Sequence, residues 1–167
     1  MNVATNAKPD EAIPALYEWA GGLDAFRRLT GVFYAKVKAD PLLAPVFARM
    51  GDDHPEHVAG FVAEVFGGPR LWSEAHGEPG AHAEMIRHHI GRMLTEPQRR
   101  RWVSLICDAA DEAGLPADPE FRSAFLAYIE WGTRLAVINS APDTEVDDKA
   151  PMPTWGWGHP GGPYRPE

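Results

Sequence analysis

The chain has 167 residues, 44% of them apolar, which suits one domain with a buried core and leaves too little for two. Its formal charge is −8, and its one dense basic run, Arg99-Arg100-Arg101, shares a predicted helix with Glu96, Asp108, Asp111 and Glu112. That run reads as a solvated face of paired charges rather than a nucleic-acid footprint, and the composition argues against a nucleic-acid partner. The lone cysteine, Cys107, rules out an internal disulfide and reads as an inert, partly buried thiol. No signal-peptide core opens the chain and no apolar run approaches the roughly 18 residues of a membrane span, so a soluble cytoplasmic protein without a membrane partner is expected.

In chain order, residues 1 to about 12 are polar, and residues 1–14 are expected to form a flexible N-terminal segment. Residues 15–20 read as a short helical turn stopped by Gly21-Gly22. From Leu23 to Ala39, Phe26, Leu29, Val32, Phe33 and Val37 recur at three- and four-residue steps, the pattern of a helix with one buried face. Asp40-Pro41 breaks it, and short helical pieces are predicted over residues 42–47.

Pro55 fits the first turn of a helix capped by Asp53 or His54. His54, Val58, Phe61 and Val65 form its apolar line, with His57 one residue off, and Phe66-Gly67-Gly68-Pro69 ends it. Residues 67–82, rich in glycine and proline, are predicted to be an irregular connection. Thr95 and Gln98 have capping-box spacing and start a helix carrying Trp102, Ile106, Ala109 and Ala113 on one side, closed by Gly114. Asp118-Pro119 starts the last helix, whose stripe runs through Phe121, Phe125, Tyr128, Gly132, Leu135 and Ala136 to about Asn139. Residues 141–167 hold six prolines and four glycines, which excludes a regular element and leaves Trp155, Trp157 and Tyr164 as the anchors of a tail. No strand is predicted; the domain is all-α.

Seven histidines invite a metal site. Zinc fits poorly, because adjacent His88 and His89 on a helix point about 100° apart and no His-Glu-x-x-His pattern occurs. Without further context the histidines read as surface or satisfied core residues, and Phe33, Phe47, Phe61 and Trp102 as core. Gly67-Gly68 follows a helix and lacks a lysine, so it makes no phosphate loop, and no serine has a nucleophile-elbow setting. What stands out is His89 just before a capped helix, with Trp102 thirteen residues later on its core side. Such a pair could flank a flat ligand.

Five pieces, in order and spacing, carry a resemblance. They are Tyr-Glu-Trp-Ala-Gly-Gly at 17–22, Phe-Tyr-Ala-Lys-Val-Lys-Ala-Asp-Pro-Leu-Leu-Ala-Pro-Val-Phe at 33–47, Phe-Gly-Gly-Pro at 66–69, the stretch from His89 to Trp102, and Leu-Ala-Val-Ile-Asn-Ser at 135–140. Over residues 15–140 the chain resembles the truncated haemoglobins of the second group. The resemblance implies a shortened globin fold, two helices packed over two, around haem b. It implies His89 as the iron ligand, with His88 one residue out of register as its competitor, and Trp102 facing the ligand pocket. Tyr34 becomes the hydroxyl donor above the iron, with Phe33 beside it and Phe47 against the porphyrin. His54 takes the distal helical position, with His57 as the alternative occupant; many relatives carry a small residue there. Val58, Phe61 and Leu94 join the cofactor wall, and Trp72, Arg87 and His57 are expected near the haem propionates.

A single imidazole ligand leaves one iron position open, and the surrounding donors decide what happens to a gas bound there. Tyr34, Trp102 and His54 form a polar cage expected to slow ligand release. That suits oxidation of nitric oxide or peroxide-dependent oxidation, catalysis that needs an unidentified reductase because no flavin or nicotinamide motif is present. A non-catalytic oxygen carrier or gas sensor, and a metal-free helical interaction domain, are the alternatives. The expected ligands are dioxygen and other small diatomic molecules, with the chain a monomer or homodimer.

Overall fold

The computed structural model describes residues 12–163, and every regular element among them is helical. These are α1 Leu16–Ala20, α2 Leu23–Ala39, α3 His54–Val65, α4 Leu71–His76, α5 Ala81–Arg87, α6 Glu96–Glu112 and α7 Pro119–Ile138. The expected looseness of residues 1 to 12 falls, but for residue 12, outside the described part, as does Tyr164.

Two pairs make the framework. Helix α2 packs on α3, α6 packs on α7, and α2 crosses α6 to join the pairs, the two-over-two arrangement expected. The α2 stripe is fully buried at Phe26, Phe33 and Val37. Phe66, just past α3, sits at the junction, with ring centroids 5.7 Å from Phe26, 6.1 Å from Phe125 and 5.4 Å from Tyr128, all edge-to-face.

Distant glycine motifs meet at this junction. The Tyr17 N–H donates to the Phe66 carbonyl at 2.9 Å, and the Tyr17 hydroxyl accepts from the Leu23 amide at 3.1 Å. A Cβ at Gly68 would stand 2.5 Å from the Tyr17 ring and 2.8 Å from the Ala63 carbonyl, so no larger residue fits.

Charged groups fix the helix ends. Asp40 accepts from the amides of Leu42 and Leu43 at 3.0 and 3.1 Å, and from Arg101 Nε at 2.6 Å, tying the end of α2 to α6. Arg101 holds the Asp40 carboxyl below its usual range, with the two amides adding to the effect. Residues 41–49 form successive turns rather than helix, with Ala44 bonded back to Asp40 and Phe47 to Leu43. The capping box at Thr95 and Gln98 is formed in both directions, and Asp118 accepts from the Phe121 amide. Asp53 occupies the cap position of α3 but makes no side-chain bond there.

Two further expectations need correction. Residues 67–82 are not wholly irregular, because α4 lies inside them. Its start is capped from outside: the Glu64 carboxylate, buried on α3, accepts from the Ser73 amide at 3.0 Å and from the Ser73 hydroxyl. The Arg99 guanidinium is not solvated. It is buried, bonded to Glu96 on its own helix and to Glu130 at 3.0 Å on α7, while Arg100 lies on the surface.

The tail is held by its tryptophans. Trp157 is buried, donates to the Pro14 carbonyl at 2.7 Å and meets Trp19 edge-on. The Trp155 amide donates to the Val65 carbonyl at 2.8 Å. Cys107 is half-buried, and burial pushes its thiol up. Among the described residues no helix is long and apolar enough to cross a membrane.

Candidate functional site

Between the helix pairs lies a cavity of about 590 Å³, within the range of small-molecule and cofactor sites. One wall comes from α2, the turns after it, α3 and α6; the rest of the lining comes from α4, α5, the segment joining α5 to α6, and α7.

On the first wall, Tyr34 is buried and its hydroxyl lies 3.0 Å from His54 Nε2. The two rings meet edge-on at 4.9 Å, and Phe47 stands 5.8 Å from Tyr34 and 6.1 Å from His54. Burial raises the Tyr34 phenol well above its ordinary value. Burial also lowers His54, helped by repulsion from His88, His57 and Arg92. At neutral pH the pair is therefore neutral phenol with neutral imidazole, sharing one hydrogen bond. Trp102 also lines the cavity, and its indole N–H has no partner among the described residues. Val58 and Phe61 complete this wall.

Phe33 is absent from the cavity wall. It is fully buried behind it, 4.8 Å from Tyr34 and 4.7 Å from Trp102, and braces both rings.

On the opposite wall stands His89, two residues past α5. Its Nδ1 lies 2.9 Å from the Met85 carbonyl, so Nδ1–H donates and Nε2 keeps its lone pair. Burial lowers the His89 pKa, against the smaller raising effect of the Met85 bond, which keeps the ring neutral and fit to ligate. His88 is exposed, with Nε2 3.6 Å from Glu84. The segment carrying His89 is tied to the end of α7: Met93 donates to the Ser140 carbonyl at 3.1 Å and the Leu94 amide to its hydroxyl at 3.0 Å. Leu94 lines the cavity.

The residues expected near the propionates divide. His57 lines the cavity and lies 3.6 Å from Asp53. Trp72 lines it too, but its N–H donates to the Ala81 carbonyl at 2.7 Å and has no proton to spare. Arg87 is not on the wall; it pairs with Glu84 and Asp148. The guanidinium-bearing residues on the wall are Arg49, Arg92 and Arg99, and Arg99 is spent on its carboxylates. Arg49 and Arg92 went unread in the sequence, where isolated arginines near a turn carry no periodic signal. Met85, Tyr128 and Trp131 also line the cavity without having been singled out for it.

The sequence pattern of the bacterial-like globins matches residues 15–130. The chain belongs to that family. The globin is similar to the group 2 truncated hemoglobin YjbI of Bacillus subtilis, at 29% identity over 84% of this chain and 98% of that one. Among solved structures, the hemoglobin of Chloroflexus aurantiacus is 33% identical with a TM-score of 0.64, over 74% of this chain and 97% of that one. A truncated oxygen-avid haemoglobin from Bacillus subtilis is 28% identical with a TM-score of 0.64, over 74% and 99%. The group II truncated hemoglobin of Bacillus anthracis, at 22% identity, has a TM-score of 0.67 over 80% and 98%, a likeness of fold.

Membership of this family implies haem binding, and the residues of this globin fit the group. In a largely apolar cavity the Nδ1–H of His89 is held by Met85 and its Nε2 is free, and Arg49 and Arg92 put positive charge on the lining for a carboxylate-bearing edge.

Proposed function

We propose that this globin binds haem b through His89 Nε2 and holds dioxygen or another diatomic ligand against the opposite wall. The reading rests on one observation: His89, oriented by Met85, lines the same cavity as the Tyr34–His54 pair. Haem with a single imidazole ligand supplies an open coordination position for a gas. The chain does the rest.

Tyr34 and Trp102 bring an O–H and an N–H to a space walled by Val58, Phe61 and Phe47. A ligand that gains negative charge accepts from both, among side chains that are mostly apolar. When His54 Nε2–H donates to the Tyr34 oxygen, the phenol proton is free for the ligand; when Nε2 accepts, that proton is spent. Each donated bond contributes about 1 to 3 kcal/mol to retention, so two of them slow release by at least about thirtyfold. The oxygen-avid relative supports this reading.

Slow release suits chemistry on the held ligand, oxidation of nitric oxide or turnover of peroxide, with electrons from a separate reductase, in the cytoplasm. The test is the oxygen dissociation rate of Tyr34→Phe and Trp102→Phe, each expected to rise about tenfold to a hundredfold. Unchanged rates in both variants would remove the polar cage. A carrier or sensor would keep the slow rates and show no turnover of nitric oxide or peroxide when a reductant is supplied.

A further inference from the structure

Trp131 stands where the cavity meets the surface. It lines the cavity, yet it is 38% exposed. Among the described tyrosines and tryptophans on the cavity wall, no other is exposed: Tyr34, Trp72 and Tyr128 are buried and Trp102 is half-buried.

The surroundings of Trp131 are rich in oxidisable rings. Its centroid lies 6.2 Å from that of Tyr128 and 5.8 Å from that of Trp155, and Tyr128 and Trp155 are 5.6 Å apart. Trp155 comes from the tail, beyond the part of the chain that the globin pattern matches. The His82 ring stacks parallel to Trp131 at 6.5 Å.

Electron loss from these rings is not equally easy. A phenol must shed its proton as it is oxidised. Tyr128 has no hydrogen-bond acceptor for its hydroxyl among the described residues, and burial raises its phenol well above the ordinary value. An indole can give up an electron and keep its proton for a time, so the indoles next to Tyr128 are the better donors. Burial keeps His82 neutral, so the ring stacked on Trp131 adds no positive charge against an indole cation.

We propose that Trp131 is a surface oxidation site, at which aromatic amines or phenols too bulky to enter the cavity give up single electrons to hydrogen peroxide reduced inside it. The proposal rests on the haem reading given above. The balance is simple. The O–O bond of one peroxide breaks and takes up two electrons and two protons, giving two waters. Each electron is drawn from Trp131 and replaced from one donor molecule at the surface, so two donors each lose one electron; a phenol or aromatic amine releases its proton too, and for a donor that releases none, such as the dye ABTS, solvent supplies the two protons.

The test uses the haem-loaded protein, hydrogen peroxide and the bulky dianionic dye ABTS. Spin trapping followed by peptide mass mapping is expected to find the adduct on Trp131 in the wild type. Trp131→Phe, a mild change at an exposed position, is expected to lose that adduct and at least tenfold of the dye oxidation. Because Trp131 borders the cavity, haem content is measured in both proteins, and the loss of dye oxidation is expected per bound haem. An adduct confined to Trp102 or Tyr34, or undiminished dye oxidation in Trp131→Phe, overturns the proposal and leaves the haem reading standing. A protein with no haem band, or a band indifferent to peroxide, overturns the proposal at its root and is distinguished by that spectrum.

Discussion

On the wall formed by α2, α3 and α6, the functional side chains brace one another: Tyr34 touches His54 and Phe47, and Phe33 supports Tyr34 and Trp102 from behind. On the facing wall, His89 stands on a short turn past α5, its ring fixed by one backbone acceptor. Packing among long helices holds the first set of side chains, whereas the His89 ring is set by one bond to the backbone of Met85. The first therefore tolerates loss of one polar atom with its shape intact, while the second depends on one nitrogen.

That difference orders the effects of substitution. Removing the imidazole with His89→Ala is expected to have the largest. Loss of a mere outer partner of a metal ligand costs about 10- to 100-fold in affinity, so loss of the ligand itself should weaken haem retention by at least about a hundredfold. Haem transfer to an acceptor protein measures it, and retention within tenfold of the wild type would break the contrast.

Next come the polar atoms of the braced wall. Tyr34→Phe and Trp102→Phe remove one donor each and keep the rings that Phe33 supports, so gas dissociation should quicken tenfold to a hundredfold while haem content holds. Loss of haem in either variant would mean that the wall is not held by packing.

A smaller effect follows from His54→Leu, which deletes the partner of the Tyr34 hydroxyl. The phenol proton is then always free for the ligand, and dissociation should slow by a few-fold, about 1 kcal/mol. Faster release would show instead that His54 itself donates to the ligand.

The smallest concerns pH. Burial holds His54 and His82 below the usual imidazole value of about 6.5. As pH falls through that value the unfolded chain takes up protons first, so folded stability is full above about pH 6.5 and declines below it. Urea midpoints at about pH 7.5 and about pH 5.5 should show this fall, with a gentler one in His54→Leu. A midpoint that rises on acidification would contradict it.

How much of this was legible in the sequence depended on distance along the chain. Helices α2, α6 and α7 announce themselves because their stripes are local, and α6 and α7 because their caps, Thr95 and Asp118, adjoin the helices. Helix α4 does not, because the carboxylate that caps it comes from Glu64, nine positions before Ser73. The tail reads as irregular, and it is; its hold on Pro14 and Val65 through Trp157 and Trp155 has no local signature. In the site, His89 and Trp102 stood out by their place beside a capped helix, Tyr34 and the distal position of His54 came from resemblance, and all four line one cavity. Phe33 and Arg87 were misplaced, because periodicity cannot tell a ring on the wall from one behind it, or an arginine aimed inward from one aimed at Asp148. For the same reason the stripe of α7 does not tell which of its residues border the cavity, as Tyr128 and Gly132 do.

Adjacent histidines offer the most direct trial of the whole account. Haem titration followed by absorption should give one tight site in the wild type and in His88→Ala, and none in His89→Ala until free imidazole is added to restore the ligand. Tight binding that survives His89→Ala without imidazole, or that fails in His88→Ala instead, would contradict it.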